Sequence, residues 1–399
     1  QRSIYVVQLS LFRYIIAMSN FAPPFVADDE HLAELRDSET FAAWSLGKLD
    51  GLLGGLDAQE ATLFCASLVR EVLLSALDQA GYPDARMRFD SWFCGCGRGP
   101  DDSPVATAQA PAIVQAILAE LGYHSWAPLA EVASIVTRMN RFGSAGAMDD
   151  ERETLNAACT LVRSATKKTS APLPFAHLAG LNSVLRQSSM FAPIEAGLSP
   201  SPFAGPTRVV EARALRTPLW AVCVQLGQML VESEALSIPL PCPDAIRAEA
   251  LQPRLNAMER AIQQAQALYT SVSKMVALAS AARVKVRNMR SRQVRLRSTA
   301  RAPQLWLLLE GFGPMTIGQV VTALEISRRG VYAVLAPLEE AGLIVRRSLG
   351  GKVTLNACEA THEVEAAQLP PLPSSPALYE FNAAMDAVDQ LLSRQSEPL

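Results

Sequence analysis

Apolar residues recur along most of the chain at alternating three- and four-residue steps, the spacing that gathers them on one face of a helix. Ala42, Leu46, Leu49 and Leu53 show it first. Gly54-Gly55 interrupts it, and the run Ala61 to Leu77 resumes it until Gly81-Tyr82-Pro83. Further helices are predicted over Ala112 to Leu121, Pro128 to Met139 and Glu151 to Arg163. Between Pro172 and Pro206 the chain is rich in Pro, Ser and Gly, and only FAHLAGLNSVLRQ keeps the helical period. The pattern returns from Val209 to Ser233 and breaks at SIPLPCPD. The Gly-rich segment FDSWFCGCGRGPDDSP, Phe89 to Pro104, and residues Asn140 to Asp150 read as loops.

The longest regular pattern is a seam. Leu255, Met258, Ile262, Ala265, Tyr269, Val272, Val276 and Ala279 follow one another at three- and four-residue steps without a slip. A long helix in a bundle would produce it. So would a helix that pairs two copies of the chain, and the stretch Leu255–Ala279 is the candidate surface for a homodimer.

From Pro303 to Leu355 the pattern changes scale. PQLWLLLEGFG is a first apolar helix, and Thr316 can cap a second, IGQVVTAL. After the turn Glu325-Ile326-Ser327, Ser327 can cap a third helix. There Val331, Val334, Leu335 and Leu338 would face inward, and Arg328, Arg329 and Tyr332 outward. Gly342 stops this helix. LIVRRS and KVTL then read as a hairpin over Leu349-Gly350-Gly351. Helix, turn, capped helix and hairpin is the order of a winged helix-turn-helix, whose third helix enters the major groove of DNA by its N-terminal end. Pro337 inside that helix is expected to kink or restart it. Arg346, Arg347 and Lys352 on the hairpin are expected to reach backbone phosphates, with both basic clusters on one face of the module.

Charge sharpens this picture. The chain carries 36 Lys+Arg against 39 Asp+Glu, yet Ala281 to Leu355 alone holds 13 basic and 4 acidic residues. One segment suits an anionic partner, and the rest is acidic. ARVKVRNMRSRQVRLRSTAR supplies eight basic residues from Arg283 to Arg301 and no acid. It reads as a basic linker, with Arg290, Arg292, Arg295, Arg297 and Arg301 as further candidate contacts to DNA phosphates. A solvated helix face is the other reading.

A hydrophobic share of 49% with 19% charged residues excludes broad disorder. Alanine and leucine dominate, and aromatics make up only 6%, which favours helix. The seven cysteines are odd in number and irregular in spacing. They suggest no disulfide framework, and a reducing cytoplasm is the expected location, at the nucleoid or a plasmid. The start, QRSIYVVQLSLFRYIIAMSN, lacks an initiating Met, and Gln8 and Arg13 break its apolar run, so no membrane helix is expected. Residues 1–20 are read as an extension ahead of Met18, or else as a first element of the fold.

Other chemistry is thin. Cys94 and Cys96 form C-x-C without a second pair, short of a zinc site. Gly95, Gly97 and Gly99 lack the Lys-Ser/Thr of a phosphate loop. No catalytic residue, metal or cofactor is expected.

The segments WSLGKLDGLLGGL (Trp44 to Leu56), LVREVLLSALDQAGYP (Leu68 to Pro83), FDSWFCG (Phe89 to Gly95) and the module from Pro303 to Leu355 resemble an uncharacterised family of helix-turn-helix proteins common on rhizobial plasmids. The resemblance implies a helical N-terminal domain of unknown function followed by a winged helix, and no activity. The first segment is also similar to the N-terminal helices of Fic-type adenylyl transferases. HLAGLNSVLR offers His177, Gly180, Asn182 and Arg186, but the Pro-Phe, the acid and the paired glycines of the Fic motif are absent.

The expected architecture is therefore mainly α. Its parts are an extension (1–20), a helical domain (21–165), an irregular and helical connection (166–245), a long helix with a basic linker (246–301), a winged helix with a small β-hairpin (302–358), and a Pro-rich linker with a terminal helix (359–399). The expected function is binding of double-stranded DNA, in transcriptional control or plasmid maintenance. A diverged Fic-like nucleotidyl transferase built on residues 172–186 and a protein-interaction module without DNA binding are the alternatives.

Overall fold

The computed structural model describes residues 29–82, 84–96, 109–140, 148–168, 174–193, 198–200, 209–211, 217–292 and 301–358. Among these the chain forms α1 (Asp29–Leu53), α2 (Ala58–Gln79), α3 (Ala85–Phe93), α4 (Ala110–Gly122), α5 (Ala127–Met139), α6 (Met148–Lys168) and α7 (Pro174–Gln187). A short pair β1 (Leu198–Pro200) and β2 (Val209–Glu211) follows, then α8 (Leu219–Glu232), a 3-10 turn (Ala248–Leu251) and α9 (Ala257–Arg292). The last stretch is α10 (Arg301–Gly311), β3 (Met315–Thr316), α11 (Ile317–Leu324), α12 (Arg328–Glu340), β4 (Ile344–Leu349) and β5 (Lys352–Ala357). The fold is mainly helical with a small three-stranded antiparallel sheet, ordered β3-β5-β4. The predicted extension 1–20 and the terminal helix in 359–399 lie outside the described residues. No described helix is long and apolar enough to cross a membrane.

The predicted seam is the inner edge of α9, a helix of 36 residues, about 54 Å long at 1.5 Å per residue. Ile262, Ala265, Val272, Val276 and Ala279 are buried, and α9 packs along α1 and across α2 of the same chain. These five seam residues thus pack within the chain, while Leu255, Met258 and Tyr269 are partly exposed. The seam also continues. Ala282, Val286 and Met289 are buried at the same steps, so the expected basic linker is helical as far as Arg292. Apolar burial on one side offsets the cost of ordering a run so rich in charge.

Caps set the helix starts. Asp57 accepts from the backbone of Gln59 and Glu60 while the Glu60 side chain answers to the Asp57 backbone, a capping box at the head of α2. Thr316 and Gln319 do the same at α11. Two sequence expectations change. Residues 89–93, expected in a loop, are the second half of α3, because Phe89, Trp92 and Phe93 fall on one buried face. Val209–Glu211 is a strand paired with Leu198–Pro200, so the helix expected from Val209 begins only at Leu219.

The chain up to Ala357 groups into one compact unit, with contacts running across residue 302. α10 lies on α2, and α11 on α5. Phe312 is buried among Phe93 (ring centroids 4.9 Å apart) and Phe89 (5.9 Å). The Arg70 guanidinium donates both to Asp90 (2.6 Å) and to the Phe312 carbonyl (2.5 Å). The buried Gln319 amide donates to the Phe93 carbonyl at 2.8 Å. These ties fasten the C-terminal elements to the helical body.

Candidate nucleic-acid interface

α11 ends on Glu325, which adopts the left-handed conformation (φ 54°). That turns the chain into α12 within three residues. Ser327 caps α12, its hydroxyl accepting from the Gly330 N–H at 3.1 Å. Val331, Val334, Leu335 and Leu338 are buried, which rotates Arg328, Arg329 and Tyr332 to the outside, where all three are exposed. The helix runs unbroken through Pro337 to Glu340. The proline leaves the Ala333 carbonyl without its helical partner. Ala333 is exposed, so water can serve it.

The hairpin closes with a two-residue turn. Leu349 pairs with Lys352, and Gly350 and Gly351 both have positive φ, 54° and 77°. This is the geometry of a type I′ turn, which only glycine and a few others adopt without strain. Arg346 and Arg347 are neighbours on β4 and therefore project to opposite faces of the sheet. Arg346 lies opposite Leu355, and Arg347 opposite Thr354. The two basic clusters do not all share one face, contrary to the expectation from sequence. Arg346 turns to α12: its Nε and Nη2 donate to the Glu339 carboxylate at 2.6 and 3.2 Å. Its guanidinium stands 5.9 Å from the centroid of the Tyr332 ring.

The remaining candidate residues divide sharply. Lys352, expected on phosphate, donates instead to the Gly95 carbonyl at 2.5 Å, fixing the hairpin to the segment after α3. Arg290 forms a two-pronged bond to Asp57 at 2.7 and 3.0 Å and a third bond to Gln59. The guanidinium holds the Asp57 carboxyl below its ordinary range. Arg290 is thus a clamp from α9 to the head of α2. Arg301 donates to the Leu324 carbonyl at 2.7 Å and closes the end of α11. Arg283 and Lys285 are likewise engaged, with the Leu52 carbonyl and Glu310. The Arg292 side chain, Arg295 and Arg297 lie outside the described residues. Arg328, Arg329 and Arg347 are exposed and have no ion pair among the described residues.

Two residues at this surface were not anticipated from sequence. Arg138 on α5 pairs with Glu325 at 3.3 Å and also donates to the Ala323 carbonyl. Glu339 holds Arg346. Their partners are distant in sequence or lie across a turn, and no local spacing announces them.

The buried Cys94 thiol donates to the Pro314 carbonyl at 3.2 Å. Burial, with Cys96 nearby, pushes its pKa up to about 12, far from a reactive thiolate. No group of three or more His, Cys, Asp or Glu side chains is placed to hold a metal among the described residues. His177 and Asn182 are buried on α7. No family model matches the chain, and no curated protein matches it.

Proposed function

We propose that residues 301–357 form a winged helix-turn-helix that binds double-stranded DNA, with α12 entering the major groove by its N-terminal turn. The observation that carries this reading is the position of Arg328 and Arg329. A helix N-terminus is the positive end of the helix dipole, and a cation there costs roughly 0.3–1 kcal/mol. This helix opens with two arginines and no acid, and neither arginine is paired within the described residues. An anion arriving from outside relieves that cost, and a phosphate at a helix N-terminus is a recurrent arrangement. The left-handed turn at Glu325, the capped third helix and the three-stranded sheet support the winged-helix reading. The sequence resemblance to plasmid-type helix-turn-helix proteins suggests transcriptional control or plasmid maintenance as the setting.

The test is titration of a fluorescent duplex at several salt concentrations. Arg328 and Arg329 together contribute about −1.8 to the log–log salt slope, at about 0.9 per phosphate. Arg328→Ala/Arg329→Ala is expected to weaken binding and make the slope shallower by about 1.8. Equal affinity and slope in the double variant overturn the reading. Binding to proteins with no affinity for duplex points to an interaction module instead.

A further inference from the structure

We propose that Glu339 masks a further phosphate contact: it holds Arg346 on the α12 side of the hairpin and occupies the guanidinium fork that a DNA phosphate would take. This inference rests on the DNA-binding reading above and concerns how that surface is regulated.

Three observations lead to it. Arg346 is the hairpin arginine that faces α12, by its pairing with Leu355. Tyr332 follows Arg328 and Arg329 by four and three residues, so all three share one helix face. The Arg346 guanidinium over the Tyr332 ring joins that face to the hairpin. Arg346 therefore extends the surface that begins at Arg328. Second, its fork is already filled: two parallel N–H groups meet two carboxylate oxygens of Glu339. Carboxylate and phosphate offer this fork the same geometry, so the acid mimics the ligand. Third, the pair is shallow. The Arg346 and Glu339 side chains are 45% and 34% exposed. A pair so open to water adds little to stability, and a duplex can displace it.

An ordinary surface pair that merely fastens the hairpin to α12 would affect melting but not the number of phosphates engaged. The salt slope separates the two roles. Glu339→Gln keeps the size of the side chain and a hydrogen bond but removes the charge. It is expected to bind duplex more tightly than wild type, with a slope steeper by about 0.9. Its advantage is then about 3.5-fold larger at 50 mM than at 200 mM salt. In an Arg346→Ala background, Glu339→Gln is expected to leave the slope unchanged. Arg346→Lys keeps the charge but lacks the fork that fits the carboxylate, and is expected to steepen the slope as Glu339→Gln does. A wild-type slope in Glu339→Gln with unchanged melting overturns the inference. So does an equal effect of Glu339→Gln with and without Arg346, which would be plain repulsion of DNA by an acid. If wild type binds no duplex even at 50 mM salt, the DNA-binding reading itself fails, and this one with it.

Discussion

Gly51→Ala and Gly311→Ala make the same chemical change and are expected to have opposite signs. Gly51 sits on the exposed side of α1, and a Cβ there meets nothing within 4 Å. The substitution gains helix propensity alone, about 1 kcal/mol of stabilisation. Gly311 ends α10 where it crosses α2. A Cβ there would stand 2.6 Å from the Ala66 Cβ and 2.9 Å from the Leu63 carbonyl oxygen. Carbon atoms pack at about 3.5–4.0 Å, so α10 would have to retreat by about 1 Å. A backbone carbonyl cannot swing aside as a side chain can. Overpacking of this kind costs about 1–3 kcal/mol. The retreat also strains the bond from Arg70 to the Phe312 carbonyl, and bonds from charged donors contribute about 1.5–3 kcal/mol. Against these losses the propensity gain is about 1 kcal/mol at most. The net expectation for Gly311→Ala is a loss of about 2–4 kcal/mol, the sum reduced because the two losses share one movement. Urea unfolding followed by circular dichroism measures both variants, with the midpoint reporting the sign. A Gly311→Ala midpoint at or above wild type refutes the close helix crossing. A two-step transition in wild type refutes the shared core between α10–β5 and the helical body.

Two further predictions test single residues. Glu325→Gly is expected to be about 1 kcal/mol more stable than Glu325→Ala, because both lose the pair with Arg138 but only glycine accepts φ 54° freely; equal thermal melts refute the left-handed turn. Burial, reinforced by neighbouring Asp150, raises the Glu151 carboxyl above its ordinary 4.5, and its buried Oε2 has no partner. A raised carboxyl makes the folded state hold its proton more tightly, so stability falls as pH rises through the raised value. Glu151→Gln should therefore be more stable than wild type at pH 7 and lose that advantage below 4.5; a pH-independent difference contradicts this.

Where local chemistry decides structure, the sequence was legible. Thr316, Ser327, Gly342 and the Gly350-Gly351 pair act on neighbours two to five residues away, and each does what its residue type demands. α3 escaped notice although Phe89, Trp92 and Phe93 carry a helical spacing, because the glycines just beyond suggested one long loop. The last turns of α9 escaped for a different reason. Arg283, Lys285, Arg287 and Arg290 drew attention to charge, while Ala282, Val286 and Met289 between them kept the apolar steps of the seam. The opposite faces of Arg346 and Arg347 follow from strand alternation and could have been read directly. The partners of Arg290, Lys352 and Arg301 could not, because each acceptor lies more than twenty residues away and is set by tertiary packing.

That last point changes what the charge asymmetry means. A segment with 13 basic and 4 acidic residues looks like one continuous surface for a polyanion. In the folded chain its cations divide by the face of the element that carries them. Of those on α9, Arg283, Lys285 and Arg290 meet acids and carbonyls at α1, α2 and α10: Asp57, Glu60, Glu310 and the Leu52 oxygen. The acidic N-terminal region is thus not merely a solvated remainder, since part of its charge is the counterpart of α9. These pairs are partly exposed and individually weak. Their effect is directional, fixing how the long helix lies on α2, and α10 lies on α2 in turn. Among the described residues, the arginines of this segment left without an ion pair or side-chain hydrogen bond are Arg287 on α9, Arg328 and Arg329 on α12, and Arg347 on β4. Among the described residues, the surface proposed here for DNA is therefore narrower than the basic segment, and it is set by which cations the fold leaves unpaired.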